Sequence, residues 1–533
     1  MARDGRHLIP DGAPSRIVSR QRRTLLKAAS SLAALVALPV TARVASNWQP
    51  KQYPFSLGVA SGHPRPDGFV LWTRLAPAPL QADGGMPRER VAVRWEIASD
   101  ENFRQLVRAG TAVADPDWAH SVHVEVKGLA PARPYFYRFR CGDASSPVGR
   151  AASACARGES TKSLEFGLAC CQNYEHGYYN AYRHMANANL DLVVHVGDYI
   201  YEHGPGNGRV RVHVGGECKT LHDYRIRHAL YRSDPDLQAA HAACPWLFAW
   251  DDHDVSNDYA GDISELGDAP SVFRARRAAA YRAYYEHLPL PTNVAPRGAD
   301  AQMYRVADFG TLARFAVLDE RQYRSPQACP LPGRHGSNRV SDCAELLRAD
   351  RTMLGEAQEH WLGSQLAASH ARWNFVTQGV AMAHIDEQPG PGRRYWTDAW
   401  NGYPAARARL LQQLVDSRAA NPVVLSGDMH TFMVSDINRT ADDLSTPVVA
   451  SELLVTSISS DPPPEKMIQG WLPENPNIKF ATGGYRGYVR VSLREDSLQA
   501  SLIAMRTVQE RDATGRTLKS FALEAGKPGI QSA

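Results

Sequence analysis

Cysteine is scarce in this chain, at eight in 533 residues. That excludes a small fold stapled by disulfides, which needs a far denser framework. Long apolar runs are also missing. The run Ala28–Val40 falls short of the ~18 residues that a membrane span requires, and no other segment approaches it. No internal repeat or low-complexity tract is visible, which excludes a solenoid and a largely unstructured chain. Nor is there a charge excess with meaning. The formal charge is +4, but residues 1–42 hold seven basic and two acidic side chains, so without them the chain stands at −1. No nucleic-acid or other polyanion partner follows from charge.

What remains is an ordinary globular composition, 44% hydrophobic and 22% charged, in a chain long enough for two or three domains. Arg20-Gln-Arg-Arg-Thr-Leu-Leu-Lys27, then Ala28–Val40, then Thr41-Ala42 has the layout of an export leader, 1–42, cleaved after Ala42. Arg22-Arg23 with Lys27 resembles a twin-arginine signal. Such export carries folded proteins, often with a cofactor inserted, to the periplasm or beyond, and makes the export machinery an expected partner. Among the cysteines, Cys329 and Cys343 flank a Pro/Gly-rich loop and are the easiest pair to bridge. Adjacent Cys170 and Cys171 are poorly placed to bond each other, so at least one is free or a ligand.

Between 53 and 155 the chain reads as short strands (69–73, 91–97, 112–113, 123–126, 135–140) separated by turn residues, with no helical pattern. A β-sandwich of the immunoglobulin or fibronectin type fits. From Leu164 strands alternate with helices, which predicts a layered α/β domain over 162–510, followed by a C-terminal tail, 511–533.

The chemistry gathers where strands end. Leu192–Val196 is an apolar, β-branched run that stops at Gly197-Asp-Tyr-Ile-Tyr201. Trp246–Trp250 ends in Asp251-Asp-His-Asp254, Phe315–Leu318 in Asp319-Glu-Arg321, and Val423–Leu425 in Ser426-Gly-Asp-Met-His430. Any one of these is ordinary turn chemistry. Four together place carboxylates at one end of the sheets, where open α/β sheets bind ligands. Massed carboxylates repel and are costly to desolvate, and a bound cation removes that penalty.

The series Cys170-Cys-Gln172, Gly197-Asp-x-x-Tyr201, Trp250-Asp-Asp-His-Asp254, Leu318-Asp-Glu-Arg-Gln-Tyr-Arg324 and Gly427-Asp-Met-His430 resembles the PhoD-type alkaline phosphatases. These belong to the calcineurin-like metallophosphoesterases and are related to purple acid phosphatases. Cysteine in place of the first aspartate and the Asp-Met-His close set this branch apart. The resemblance implies a four-layer metallophosphoesterase sandwich behind the N-terminal β domain. It implies Cys171, Asp198, Tyr201 and His430 as ligands of Fe3+, with Asp198 bridging to Ca2+ held by Asp252 and Asp428, and Asn257 as a further oxygen donor. Thiolate, phenolate and imidazole suit a trivalent ion, and hard oxygens suit calcium. His253 takes the place of the histidine at the leaving oxygen, and Arg321, with its planar fork, is a candidate phosphate clamp. Asp251 and Asp254 read as supporting groups, and His195 as a satisfied core histidine.

The expected activity is exported, metal-dependent hydrolysis of phosphoric esters, monoesters and diesters, by hydroxide attacking phosphorus in line. No serine or threonine nucleophile stands in the motifs, so no phosphoenzyme is expected. Two alternatives stand beside it: a phosphodiesterase or phospholipase D-like hydrolase, and a surface binding protein carrying a degenerate site.

Overall fold

The computed structural model describes residues 44–532 apart from 46, 47 and 82, so the leader expected over 1–42 lies outside the described residues. Two mixed sheets carry the C-terminal two thirds. The centre of the first is parallel: β1 (Ser163–Ala169), β2 (Leu192–Val196) and β3 (Trp246–Ala249). The centre of the second is also parallel: β4 (Ala313–Val317), β5 (Trp373–Thr377) and β6 (Pro422–Ser426). Every residue of β2, β3, β4 and β5 is buried, as the unbroken apolar runs require of strands covered on both faces.

One apolar cluster draws on both sheets, among them Phe166, Val194, Phe315, Phe375 and Leu425, with the Phe166 ring 5.4 Å from those of Phe315 and Phe375. A second cluster joins helices 180–186, 221–232, 235–243 and 270–287 to residues of β2 and β3. A third joins helices 355–367 and 404–417 to residues of β4, β5 and β6. The helix starts follow local chemistry. Thr220 and Asp223 form a reciprocal capping box, and Asp234 accepts from the Asp236 and Leu237 amides ahead of Pro235.

The N-terminal strands are present, but they divide between sheets. Strands 90–98, 106–114, 134–141 and 149–152 belong to a six-stranded sheet. Strands 59–65, 68–74 and 121–126 instead extend the first sheet, through Gly62 paired with Trp246 of β3. The N-terminal region is therefore not a self-contained sandwich. One of its faces is an outgrowth of the sheet that carries β1–β3, and a shared core including Phe69, Val93, Val124 and Phe139 fills the space between.

The far edge also departs from expectation. The stretch read as a tail supplies strands 515–524 and 527–532, which pair onto 497–505. The second sheet gains the long antiparallel pair 432–440 and 443–454, and 478–482 beside it. Cys329 and Cys343 are bonded, with Cα atoms 6.3 Å apart. Among the described residues, no helix is long and apolar enough to cross a membrane.

Candidate metal centre

Parallel order puts the carboxyl ends of β1, β2 and β3 on one edge, and those of β4, β5 and β6 on one edge of the second sheet. The site residues leave those ends through sharp turns. Cys171, Asp198, Asp428 and His430 all have left-handed backbone (φ 56°, 56°, 64° and 51°), an uncommon conformation for side-chain-bearing residues. Gly197 (φ 106°) precedes Asp198, and a Cβ there would lie 2.4 Å from the Asp251 Cβ. At Gly427 it would meet the Cys170 Sγ at 2.7 Å. Only glycine lets the two turns approach this closely.

Cys171, Asp198 and His430 offer ligand atoms all within 4.8 Å of one another, and Asp198 does the same with Asp252 and His253. The Tyr201 hydroxyl lies 2.9 Å from Asp198 Oδ2 and 3.0 Å from His430 Nε2, and it accepts from Ser460 Oγ at 2.8 Å. Cys170 points elsewhere, its Sγ 3.6 Å from the Val455 carbonyl. A second group, Asp251, Asp252 and Asp428, meets the same distance limit. Asp251, read from sequence as a supporting residue, thus contributes a carboxylate oxygen of its own.

These groups fit cations. Asp198 Oδ1, Asp251 Oδ2 and Asp428 Oδ2 are enclosed and have no hydrogen-bond partner among the described residues. Burial, compounded by Cys170, Asp198 and Asp428, pushes the Cys171 thiol well above its usual range. Burial and the neighbouring acids do the same to Asp198 and Asp428. Without a positive ion this assembly is self-repelling. Burial pulls His430 down to about 4, and its Nδ1 lies 2.6 Å from the Asp461 carbonyl. A neutral ring with Nδ1–H so engaged keeps the Nε2 lone pair free, the usual form of a metal-binding histidine.

His253 Nδ1 stands 2.7 Å from Glu202 Oε2, and its ring packs 4.2 Å from that of Tyr201. Burial alone would lower the imidazole, but Glu202, Asp252 and Asp198 together hold it well above its ordinary value. Asp254 is buttress rather than ligand. Its carboxylate accepts from the backbone amides of Asp198, Tyr199 and Asp251 at 3.0–3.1 Å, and so locks the β2 and β3 turns together.

Arg321 departs from its sequence assignment as a phosphate clamp. It is fully buried, with Nη1 and Nη2 on the two oxygens of Asp398 at 3.0 and 2.8 Å and Nε on Asp251. Its Nη2 also faces Asp252 at 3.7 Å. The fork is spent on protein carboxylates, so its work is to fix Asp251 and Asp252. Asp319 accepts from the Arg321 and Gln322 amides and shapes that turn.

Asn257 donates from its backbone to Glu202 at 2.7 Å and from its amide to Glu265 at 3.0 Å, contacts that tie it to those two glutamates. Both ring nitrogens of buried His195 lack partners, so it is a core histidine but not a satisfied one. Trp400 and Tyr403 are core residues. Sequence reasoning missed Glu202, Asp398 and Ser460. Only Glu202 sat next to a segment already singled out, directly after Tyr201.

The family model described as PhoD-like phosphatase matches residues 166–502, and that of the PhoD-like phosphatase N-terminal domain matches 41–155. The chain belongs to the PhoD-like phosphatases. Alkaline phosphatase D of Bacillus subtilis (strain 168) is 45% identical over 487 residues, which span 90% of this chain and 82% of that one. The solved structure titled "Structure of PhoD" superposes with a TM-score of 0.87 at 44% identity, covering 91% of this chain and 93% of that one. As a PhoD-like phosphatase the chain is a phosphate ester hydrolase of the alkaline phosphatase family, and the binding-protein alternative is set aside.

Proposed function

We propose that this PhoD-like phosphatase is an exported, metal-dependent phosphoric ester hydrolase. In this reading Cys171, Asp198, Tyr201 and His430 would hold Fe3+, and Asp252 and Asp428, with Asp251 near them, would hold Ca2+. The observation that carries it is the set of enclosed, unpartnered carboxylate oxygens on Asp198, Asp251 and Asp428 next to the Cys171 thiol. When bound, the ions supply the Lewis acidity that makes hydroxide available near neutral pH and neutralise charge gathering on phosphorus oxygens.

The protein groups supply position and protons. Arg321 and Asp254 fix the turns that present the acids, so little reorganisation accompanies charge transfer. Glu202 holds His253 by Nδ1 and favours its protonated form, which leaves Nε2–H for the departing alkoxide. Displacement is direct, with no covalent intermediate.

The reading extends to architecture and location. A four-layer arrangement around the two central sheets is supported by the three apolar clusters, with the N-terminal residues, matched by a family model of their own over 41–155, built partly onto the first sheet. Twin-arginine export to the periplasm or medium rests on Arg22-Arg23 and the apolar run after them. Turnover of p-nitrophenyl phosphate and bis-p-nitrophenyl phosphate, before and after dialysis against a chelator, tests the chemistry. The proposal requires both activities to fall together and to return with added metal. Diester activity that survives when monoester activity is gone would contradict a single shared centre.

A further inference from the structure

A cavity of about 270 Å3 lies against helix 404–417 and strand 432–440, and none of the candidate metal ligands lines it. Arg407 forms part of its wall and is 4% exposed. Nη1 of Arg407 donates to Asn401 Oδ1 at 2.7 Å and to the Met382 carbonyl at 3.3 Å. Its Nε and Nη2 have no acceptor among the described residues, and no carboxylate there lies within 4 Å. Arg321, by contrast, is spent on two carboxylates. Burial lowers Arg407 to about 10, only partly offset by Asp442, Tyr395 and Glu452.

The same cavity is lined by Arg393, Arg439 and His384. The one acid in its lining, Asp442, sits 3.5 Å from Arg393, so three guanidiniums and one carboxylate leave a net charge of +2. His384 is held neutral, pulled to about 4 by burial and by Arg407, and its Nδ1 is enclosed without a partner. A deep guanidinium with two free donor nitrogens, two more at the rim and one neutral imidazole match a tetrahedral dianion, whose oxygens accept from several directions. A carboxylate would use one plane only.

We propose that this cavity is a second oxyanion site, distinct from the metal centre, that takes a phosphate group with Arg407 at its base and Arg393 and Arg439 at its rim. Two sources share that chemistry: free inorganic phosphate, and a phosphate within an extended ester chain whose reacting group lies elsewhere.

Equilibrium dialysis of the metal-loaded enzyme against labelled inorganic phosphate should give two equivalents per chain. The exposed-residue double variant Arg393→Ala/Arg439→Ala should retain one equivalent, with turnover of p-nitrophenyl phosphate unchanged. Arg407→Met should do the same if it folds. One equivalent in the wild type, or two in the double variant, overturns the proposal. Loss of the metal centre would remove the other equivalent, so failure of the functional reading and failure of this one are told apart. A KM for a phosphodiester-linked oligomer that rises several-fold in the double variant, while that for the monoester holds, identifies the ester chain as source. Equal KM values with the second equivalent lost identify free phosphate.

Discussion

The guanidinium of Arg321 lies edge-on to the carboxylate of Asp398, two parallel contacts of 3.0 and 2.8 Å with both side chains sealed from solvent. Arg324 and Gln327 complete the Asp398 side at 2.7 Å each. On the other side Arg321 holds Asp251 and faces Asp252. The pair is the fixed point from which two of the site's acids are aimed.

Removing Asp398 should therefore act twice. Asp398→Ala leaves two buried arginines short of a counter-charge, which costs about 3–5 kcal/mol. It also frees Asp251 and Asp252, with an expected ~10–100-fold loss of metal affinity or activity. Urea unfolding and metal titration of the same preparation check this. A variant that loses stability but keeps wild-type metal affinity would show the pair to be structural only.

Glu202→Gln tests the proton route. Without the carboxylate 2.7 Å from Nδ1, His253 falls toward its ordinary value and loses its proton at a lower pH. In the proposed mechanism the protonated form is the active one, so the alkaline limb of the kcat profile should move down in pH. The loss should be roughly 10–100-fold for alkyl esters and smaller for p-nitrophenyl esters, whose leaving oxygen needs less help. Equal losses for both ester types would remove His253 from that role.

Stability should carry a signature of buried neutral histidines. His195 and His228 are each held near 3 by burial, and His241 and His287 also lie well below their ordinary value. A folded value depressed below the unfolded ~6.5 gives stability that is complete above pH 6.5 and drains away as pH falls toward 3. At pH 5 each such group costs ~2 kcal/mol. His228→Leu should flatten the fall of Tm between pH 6.5 and 4.5, and parallel slopes would contradict this.

The sequence made the strand ends legible because apolar, β-branched runs stopping at Gly-Asp leave little choice of structure. That drew attention to Asp198, Asp252, Asp428 and His430, while the choice of Cys171 over Cys170 came from the resemblance to the PhoD-type family. Arg321 was visible as a residue but not as a partner, because Asp398 lies 77 residues further on in a stretch with no periodic pattern. Asp251 read as a supporting group because its approach to Asp428 is made only across the two sheets. Gly62 pairing with Trp246 joins strands far apart in the chain, so the N-terminal strands read as a separate sandwich. Strands 443–454 and 515–524 each begin in a polar stretch and lack the sustained alternation that marks a strand.

The central claim is that Cys171, Asp198, Tyr201 and His430 share one ferric ion, and the most direct measurement is metal content together with the visible spectrum of the purified enzyme. The account predicts about one iron per chain and a coloured protein, since phenolate and thiolate bound to Fe3+ absorb strongly. The band should shift or vanish in Tyr201→Phe while iron is retained. A colourless, iron-free enzyme that keeps full activity in chelator, or a coloured one whose band Tyr201→Phe leaves unchanged, would contradict it.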